Sequence, residues 1–506
     1  MLPSIQHAPR QDPNRGPLVV ALVAGGLVWA SGVFGAYGWF ADELYFLACA
    51  RRPALGYVDH PPLATLLLGV FRIVFDDNMA LIRLASTAVY VAAIVQVGRL
   101  ARALDGGAFA QTLAAATFAT APAVLVIAGF YSMNPFELLL LIVLARFALA
   151  IVRGAAPRSW LWFGAVTGLA FLAKHSALLP AGLLAAATLA SPARAHLATR
   201  WPYLGVALAA VIAAPNLIWL IVHDGVTFEF YRISVPLKNI EQSPFEAIVG
   251  QAMFVGPMVF LIAVVGAVSL ARQRSFRGFA AMFAIALAIM MASGISRADR
   301  ILAVYPILFA AGACTLEQLT CGRPWRRGLA IGMLAIGALP PLPLVLPILP
   351  PELVIRYSIA LAVTPQLEVA KKGAMPQWLG DKRGWVGLVD TTAAVYRTLP
   401  AGERIVVFGT DYGTAGALEL YGPSAGLPTP ISTHNEFWAW GPGDVRGATI
   451  LAVGHDAAYW NGLYTDVHFA GAVRCTGCLT DGMAIWIARG DRPGLAVRWP
   501  ELRRFE

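Results

Sequence analysis

The sequence predicts an α-helical polytopic membrane protein, with about eleven transmembrane helices and then a C-terminal extramembrane α/β domain. Apolar residues make up 58% of the chain and charged residues only 13%, and the mean hydropathy is +0.65. That leaves too little polar surface for a water-soluble chain of 506 residues. Apolar runs long enough to cross about 30 Å of hydrocarbon recur from Leu18 to near Leu349 and then stop. The loops between them alternate in charge, as a membrane topology requires.

The expected spans lie near 18–39, 81–98, 109–128, 135–152, 160–173, 177–191, 203–222, 248–270, 279–295, 301–318 and 328–349. With a cytoplasmic N-terminus, every cytoplasmic loop is rich in arginine: Arg99 and Arg102, Arg153 and Arg158, Arg194 and Arg200, Arg272, Arg274 and Arg277, then Arg323, Arg326 and Arg327. The leading stretch carries Arg10 and Arg15, and the first apolar run ends at Asp42 and Glu43 instead of a small-residue cleavage site. It is therefore read as an uncleaved first span. The net charge of +9 serves topology on this reading, with no nucleic-acid partner.

Two outward loops are long. The first, 40–80, contains the semi-apolar stretches 44–50 and 63–75, which read as interfacial helices lying on the membrane. The second, 223–245, lacks a strong apolar run and is placed to cover a site. The proline-rich segment 339–351 ends the membrane part, because clustered prolines stop a helix. The chain then divides into a membrane domain, 1–350, and an outer domain, 351–506. In the latter, β-rich stretches at 404–409, 448–453 and 483–488 alternate with helix-like ones at 391–399 and 414–421. With an odd number of spans and a cytoplasmic start, this domain lies outside the cytoplasmic membrane. The sequence contains no evident internal repeat.

Cys49, Cys314 and Cys321 fall in or beside predicted spans, where small buried hydrophobes are expected. Cys475 and Cys478 form a single CxxC, half of a structural zinc site at most, and are read as a local disulfide or as free thiols. His434, Glu436, His455 and Asp456 have no recognisable ligand spacing, so neither metal nor cofactor is expected.

The first outward loop gives the strongest chemical signal. It reads Phe40-Ala41-Asp42-Glu43-Leu44-Tyr45 and later Gly56-Tyr57-Val58-Asp59-His60-Pro61-Pro62-Leu63. A carboxylate at the bilayer boundary is costly unless hydrated or paired, which marks Asp42 and Glu43 for function; simple solvation of a helix end is the alternative. An Asp-Glu pair after the first span, then an acidic residue, a basic residue and Pro-Pro, resembles the GT-C glycosyltransferases, and family 39 above all. That group includes protein O-mannosyltransferases and the bacterial aminoarabinose transferases of lipid A, which use a polyprenyl-phosphate-linked sugar. The likeness continues through Gly168 to Leu179 with Lys174, Pro215-Asn216-Leu217-Ile218-Trp219, and Arg297 to Tyr305-Pro306. Asp411-Tyr412-Gly413-Thr414-Ala415-Gly416-Ala417 and Ser432-Thr433-His434-Asn435-Glu436-Phe437-Trp438 also resemble stretches of bacterial relatives.

The resemblance implies an inverting transferase in the bacterial inner membrane, its site at the periplasmic face, moving a sugar from a polyprenyl-phosphate donor to a lipid, glycan or protein. Asp42 takes the place of the acceptor-facing acid. Glu43 supports the loop or contacts substrate. Lys174 and Arg297, with Arg300 a weaker third, face the departing phosphate. Arg297 stands where the family usually has lysine, and guanidinium grips two oxygens where ammonium is a point charge. Asp59 and His60 stand where the lipid A enzymes have Glu-Lys, so His60 lacks a fixed charge at neutral pH. Tyr305 reads equally as a donor-phosphate ligand or as an interfacial tyrosine. The competing readings are a secondary transporter, for which Lys174 would mark an ion path, and a non-catalytic lipid-glycan assembly subunit.

Overall fold

The computed structural model describes residues 14–293, 295–362, 373–492 and 494–506. Arg10 and most of the leading stretch lie outside the described residues. Among the described residues, five helices are long and apolar enough to cross a membrane: Gly16–Phe34, Met79–Ala103, Met133–Val152, Trp201–Val222 and Ala298–Leu319. Three further pairs qualify only when each bent pair is taken as one span, which gives up to eight. Leu63–Phe75, Ser159–Ala173 and Arg277–Ala292 are shorter apolar helices.

This departs from eleven straight spans, and proline is the main reason. The stretches read as 109–128 and 248–270 are broken before Pro122 and Pro257, by 67° and 109°, and the one read as 177–191 runs on to a 99° bend before Pro192. A proline has no amide hydrogen to continue the ladder and tolerates only the first turn of a new helix. The run expected at 328–349 is likewise cut short: helix Pro324–Ala338 ends before Pro340 and Pro341.

Where neighbouring helices cross most closely, glycine allows it. A Cβ on Gly164 would lie 1.9 Å from the carbonyl oxygen of Gly205, and one on Gly205 would lie 2.3 Å from that of Trp160. Helices Ser159–Ala173 and Trp201–Val222 thus meet backbone to backbone, the packing expected where small residues line a helix interface.

A two-residue antiparallel pair, β1 (Ile240–Glu241) with β2 (Ile295–Ser296), ties the second outward loop to the segment that leads into Arg297. The C-terminal region carries a four-stranded sheet: β3 (Ile405–Gly409), β4 (Thr449–Val453), β5 (Tyr464–Ala472) and β6 (Ala484–Asp491), in the order β3-β4-β6-β5. β3 and β4 are parallel, and β6 is antiparallel to both β4 and β5. β4 is buried along its whole length, which suits its unbroken run Thr-Ile-Leu-Ala-Val in the middle of a covered sheet. Three strands fall where expected; β5, whose residues alternate weakly, was not anticipated.

The first outward loop does not lie as two interfacial helices. Helix Leu63–Phe75 does present an apolar exposed face through Val70, Ile73 and Val74. Helix Ala41–Ala50 instead has nine of its ten residues buried, all but Asp42. It shares one hydrophobic core with the C-terminal region, in which Leu44, Leu47 and Leu68 pack with Leu388, Val407, Leu418 and Ile485. Cys475 and Cys478 are joined as a disulfide. Cys49 and Cys314 are buried, whereas Cys321 is exposed, contrary to the reading of all three as buried hydrophobes.

Candidate active site

A cavity of about 920 Å³ opens where the first outward loop, the second outward loop, the segment from Arg297 and the C-terminal region meet. Asp42 and Asp59 line it, together with Lys174, Arg297 and Arg300. Much of the remaining lining is apolar, through residues such as Val126, Phe254 and Leu344.

Asp42 occupies the first turn of helix Ala41–Ala50, where the helix dipole favours an acid. Its Oδ1 accepts a hydrogen bond from the Tyr412 hydroxyl at 2.9 Å. Glu43, one position on, points the other way and does not line the cavity. Its carboxylate is 1% exposed and accepts from Arg83 and from the backbone amides of Phe40 and Tyr131. Adjacent carboxylates have therefore been given separate surroundings: one faces a cavity, the other bolts the loop to helix Met79–Ala103.

Asp59 accepts from the Tyr45 hydroxyl at 2.6 Å and sits 3.1 Å from His60 Nδ1. Burial works to raise its carboxyl pKa, but the charge and hydrogen bond of His60, the Tyr45 hydrogen bond and Lys238 hold it below the ordinary value. His60 itself is fully buried, with Nε2 2.9 Å from Thr65 Oγ1 and its ring stacked on Tyr57. It stands behind Asp59 and does not line the cavity, so it orients the acid and is not itself at the surface expected of a substrate ligand.

The cations are closely matched. Lys174 Nζ donates to Asn134 Oδ1 at 2.8 Å and lies 3.2 Å from Glu137. Arg297 forms a two-pronged pair with Asp299, both contacts 3.0 Å. Arg300 lines the same cavity. Tyr305 is fully buried, with its hydroxyl on Gln251 Oε1 at 2.9 Å, while Gln251 Nε2 holds the Ala298 carbonyl at 2.9 Å. Tyr305 thus braces the Arg297 segment from behind and does not line the cavity.

Several lining residues were missed. Glu137 and Asn134, in the first turns of helix Met133–Val152, carried a signal, since an acid and an amide inside an apolar span are rare. Helix Val226–Lys238 contributes Tyr231, Ser234 and Lys238, in keeping with a loop placed to cover a site. Tyr412 and Asn435 come from the C-terminal region and belong to the two motifs noted there. Three of the four residues weighed as a metal cluster are otherwise engaged, and the His455 ring stacks on Tyr459. His434 Nδ1 accepts the Tyr412 amide, Glu436 accepts the Val58 amide, and Asp456 caps a helix through Tyr459. Burial lowers the His455 imidazole to about 4.

The chain is similar in sequence and in fold to known proteins. A family model described as dolichyl-phosphate-mannose-protein mannosyltransferase matches residues 59–219. The lipid A galacturonosyltransferase RgtD of Rhizobium johnstonii is 28% identical over 254 residues, 48% of this chain and 52% of that protein. The chain spans about half the length of this curated relative. In fold it is similar to ArnT from Cupriavidus metallidurans, in the apo state and bound to undecaprenyl phosphate. Both crystal structures give a TM-score of 0.61 at 16% identity, covering 94% of this chain and 98% of that one.

Proposed function

We propose that this protein is a membrane glycosyltransferase that moves a sugar from a polyprenyl-phosphate carrier to an acceptor at the periplasmic face of the bacterial inner membrane. Residues 1–350 form its catalytic membrane part and 351–506 its periplasmic domain. The observation that carries the reading is a single cavity in which Asp42 and Asp59 share a wall system with Lys174, Arg297 and Arg300. The fold supports it, since a protein of the same architecture binds undecaprenyl phosphate. Among lipid, glycan and protein acceptors, the likeness to a lipid A galacturonosyltransferase favours a lipid.

The reaction is a single displacement. The acceptor hydroxyl oxygen bonds to the anomeric carbon as the bond from that carbon to the phosphate oxygen breaks, so configuration inverts. The acceptor proton passes to the Asp42 carboxylate, and the bonding electrons leave with the polyprenyl phosphate. Arg297 and Lys174 are matched in the resting site by Asp299 and Glu137, an arrangement that holds both cations in place before the phosphate arrives. The apolar lining suits a prenyl chain.

The test is to incubate the purified protein with labelled polyprenyl-phosphate sugars and a membrane extract, and to identify the glycosylated product by mass spectrometry. Asp42→Asn should insert normally, bind donor and lose about 100-fold or more in turnover. Near wild-type turnover in that variant would remove Asp42 from the reaction, and uptake of a free solute without a covalent product would sink the transferase reading.

A further inference from the structure

Helix Tyr412–Ala425 opens with an unusual sequence for a helix, Tyr-Gly-Thr-Ala-Gly-Ala. Two glycines in its first two turns weaken it by roughly 1 kcal/mol each relative to alanine. Their positions account for them. Gly413 and Gly416 are three apart and so share a face, and that face lies on helix Ala41–Ala50. A Cβ on Gly413 would stand 3.1 Å from the Ala41 Cβ, and one on Gly416 only 2.9 Å from backbone and Cβ atoms of Leu44. Asp411 caps the helix by accepting the Thr414 amide at 2.8 Å. The close approach and the cap fix the first turn, and Tyr412 sits in it.

Tyr412 is held from three sides. Its amide donates to His434 Nδ1 at 3.1 Å, and its ring lies 4.9 Å from both the Tyr45 and the His434 rings. Its hydroxyl reaches Asp42 Oδ1 at 2.9 Å at the cavity wall. We infer that Tyr412 is a positioning residue for the transfer reaction: docked by the Gly413/Gly416 face, it fixes the orientation of the Asp42 carboxylate, so that the C-terminal domain completes the transferase site. This rests on the reading of Asp42 as the acceptor-facing acid. A charge-assisted hydrogen bond from a rigid phenol is directional, and a general base must be aligned with the proton it removes.

Tyr412→Phe in the full-length protein tests this. Loss of one hydrogen bond to a charged group should lower kcat by about tenfold or more, with the donor KM and melting temperature unchanged. A second readout is independent of turnover. The infrared carboxylate stretch of Asp42, assigned by subtracting the spectrum of Asp42→Asn, should shift in Tyr412→Phe. Gly416→Ala, which lies away from the cavity wall, should shift the same band by displacing the helix. An unmoved Asp42 band in both variants, or a kcat within roughly twofold of wild type in Tyr412→Phe, overturns the inference. If the wild-type protein transfers no sugar, the transferase reading falls, and the infrared band alone decides whether Tyr412 orients Asp42.

Discussion

Replacing Glu43 with glutamine separates the fates of two neighbouring acids. Oε1 accepts from Arg83 Nε at 3.0 Å and from the Tyr131 amide at 2.9 Å; Oε2 accepts from Arg83 Nη2 at 2.5 Å and from the Phe40 amide at 2.9 Å. Arg83 is itself 3% exposed and also donates to the Gly38 carbonyl at 2.8 Å. The carboxylate therefore joins the first loop, helix Met79–Ala103 and the turn before helix Met133–Val152. Glutamine keeps the volume but turns an NH2 donor toward groups that are all donors, and leaves the guanidinium without its counter-charge. Breaking a buried pair from one side costs about 3–5 kcal/mol. In a chain of this length that amounts to roughly 3–10 °C in apparent melting temperature. The assay is thermal unfolding in detergent, with turnover measured per folded molecule. Glu43→Gln should lose thermal stability while the folded fraction keeps turnover within about tenfold of wild type, the reverse of Asp42→Asn. A Glu43→Gln protein that melts within about 1 °C of wild type yet loses turnover about 100-fold would refute the reasoning and return Glu43 to the reacting groups.

Arg297→Ala and Lys174→Ala should weaken use of the donor, and Arg297→Lys should retain more activity than Arg297→Ala, because charge matters more here than the two-pronged geometry; donor titrations of the three variants check this. Glu436 is pushed up to about 7, by burial first and by Asp59, against the Val58 amide and His60. Because its folded pKa is raised, the folded state holds the proton more tightly. Its contribution is full below the unfolded value near 4.5 and is lost as pH rises through about 7, on the order of 3 kcal/mol in all. The melting temperature should accordingly decline between pH 5 and 8 in wild type, and Glu436→Gln should flatten that decline. A reporter active only in the periplasm should work when fused after Pro351 and fail after Arg158; the opposite pattern at either point would reverse the topology and the side on which the site lies.

Solvent class was legible in the chain itself, because lipid imposes its demand locally: each span must be apolar along its own length, whatever packs beside it. That Asp42, Lys174 and Arg297 are candidates for one site was legible for a related reason, since a charge beside or inside an apolar run stands out against its neighbours, and all three line the same cavity. The bends were not anticipated: the expected spans ran unbroken through Pro122 and Pro257, where a proline begins a new helix at an angle set by what each half-helix packs against. What the sequence could not assign is which residues face the cavity. Successive helical residues point about 100° apart, so Asp42 and Glu43 look alike in the chain yet face different surroundings, and the partner that claims Glu43 lies 40 residues away on another helix. His60 and Tyr305 fit a family pattern but stand behind the wall because Thr65 and Gln251 hold them there. Tyr412 is 370 residues from Asp42. Only the docking of a glycine-faced helix onto the buried first-loop helix brings the two together, and that contact exists only once both parts of the chain have folded against each other.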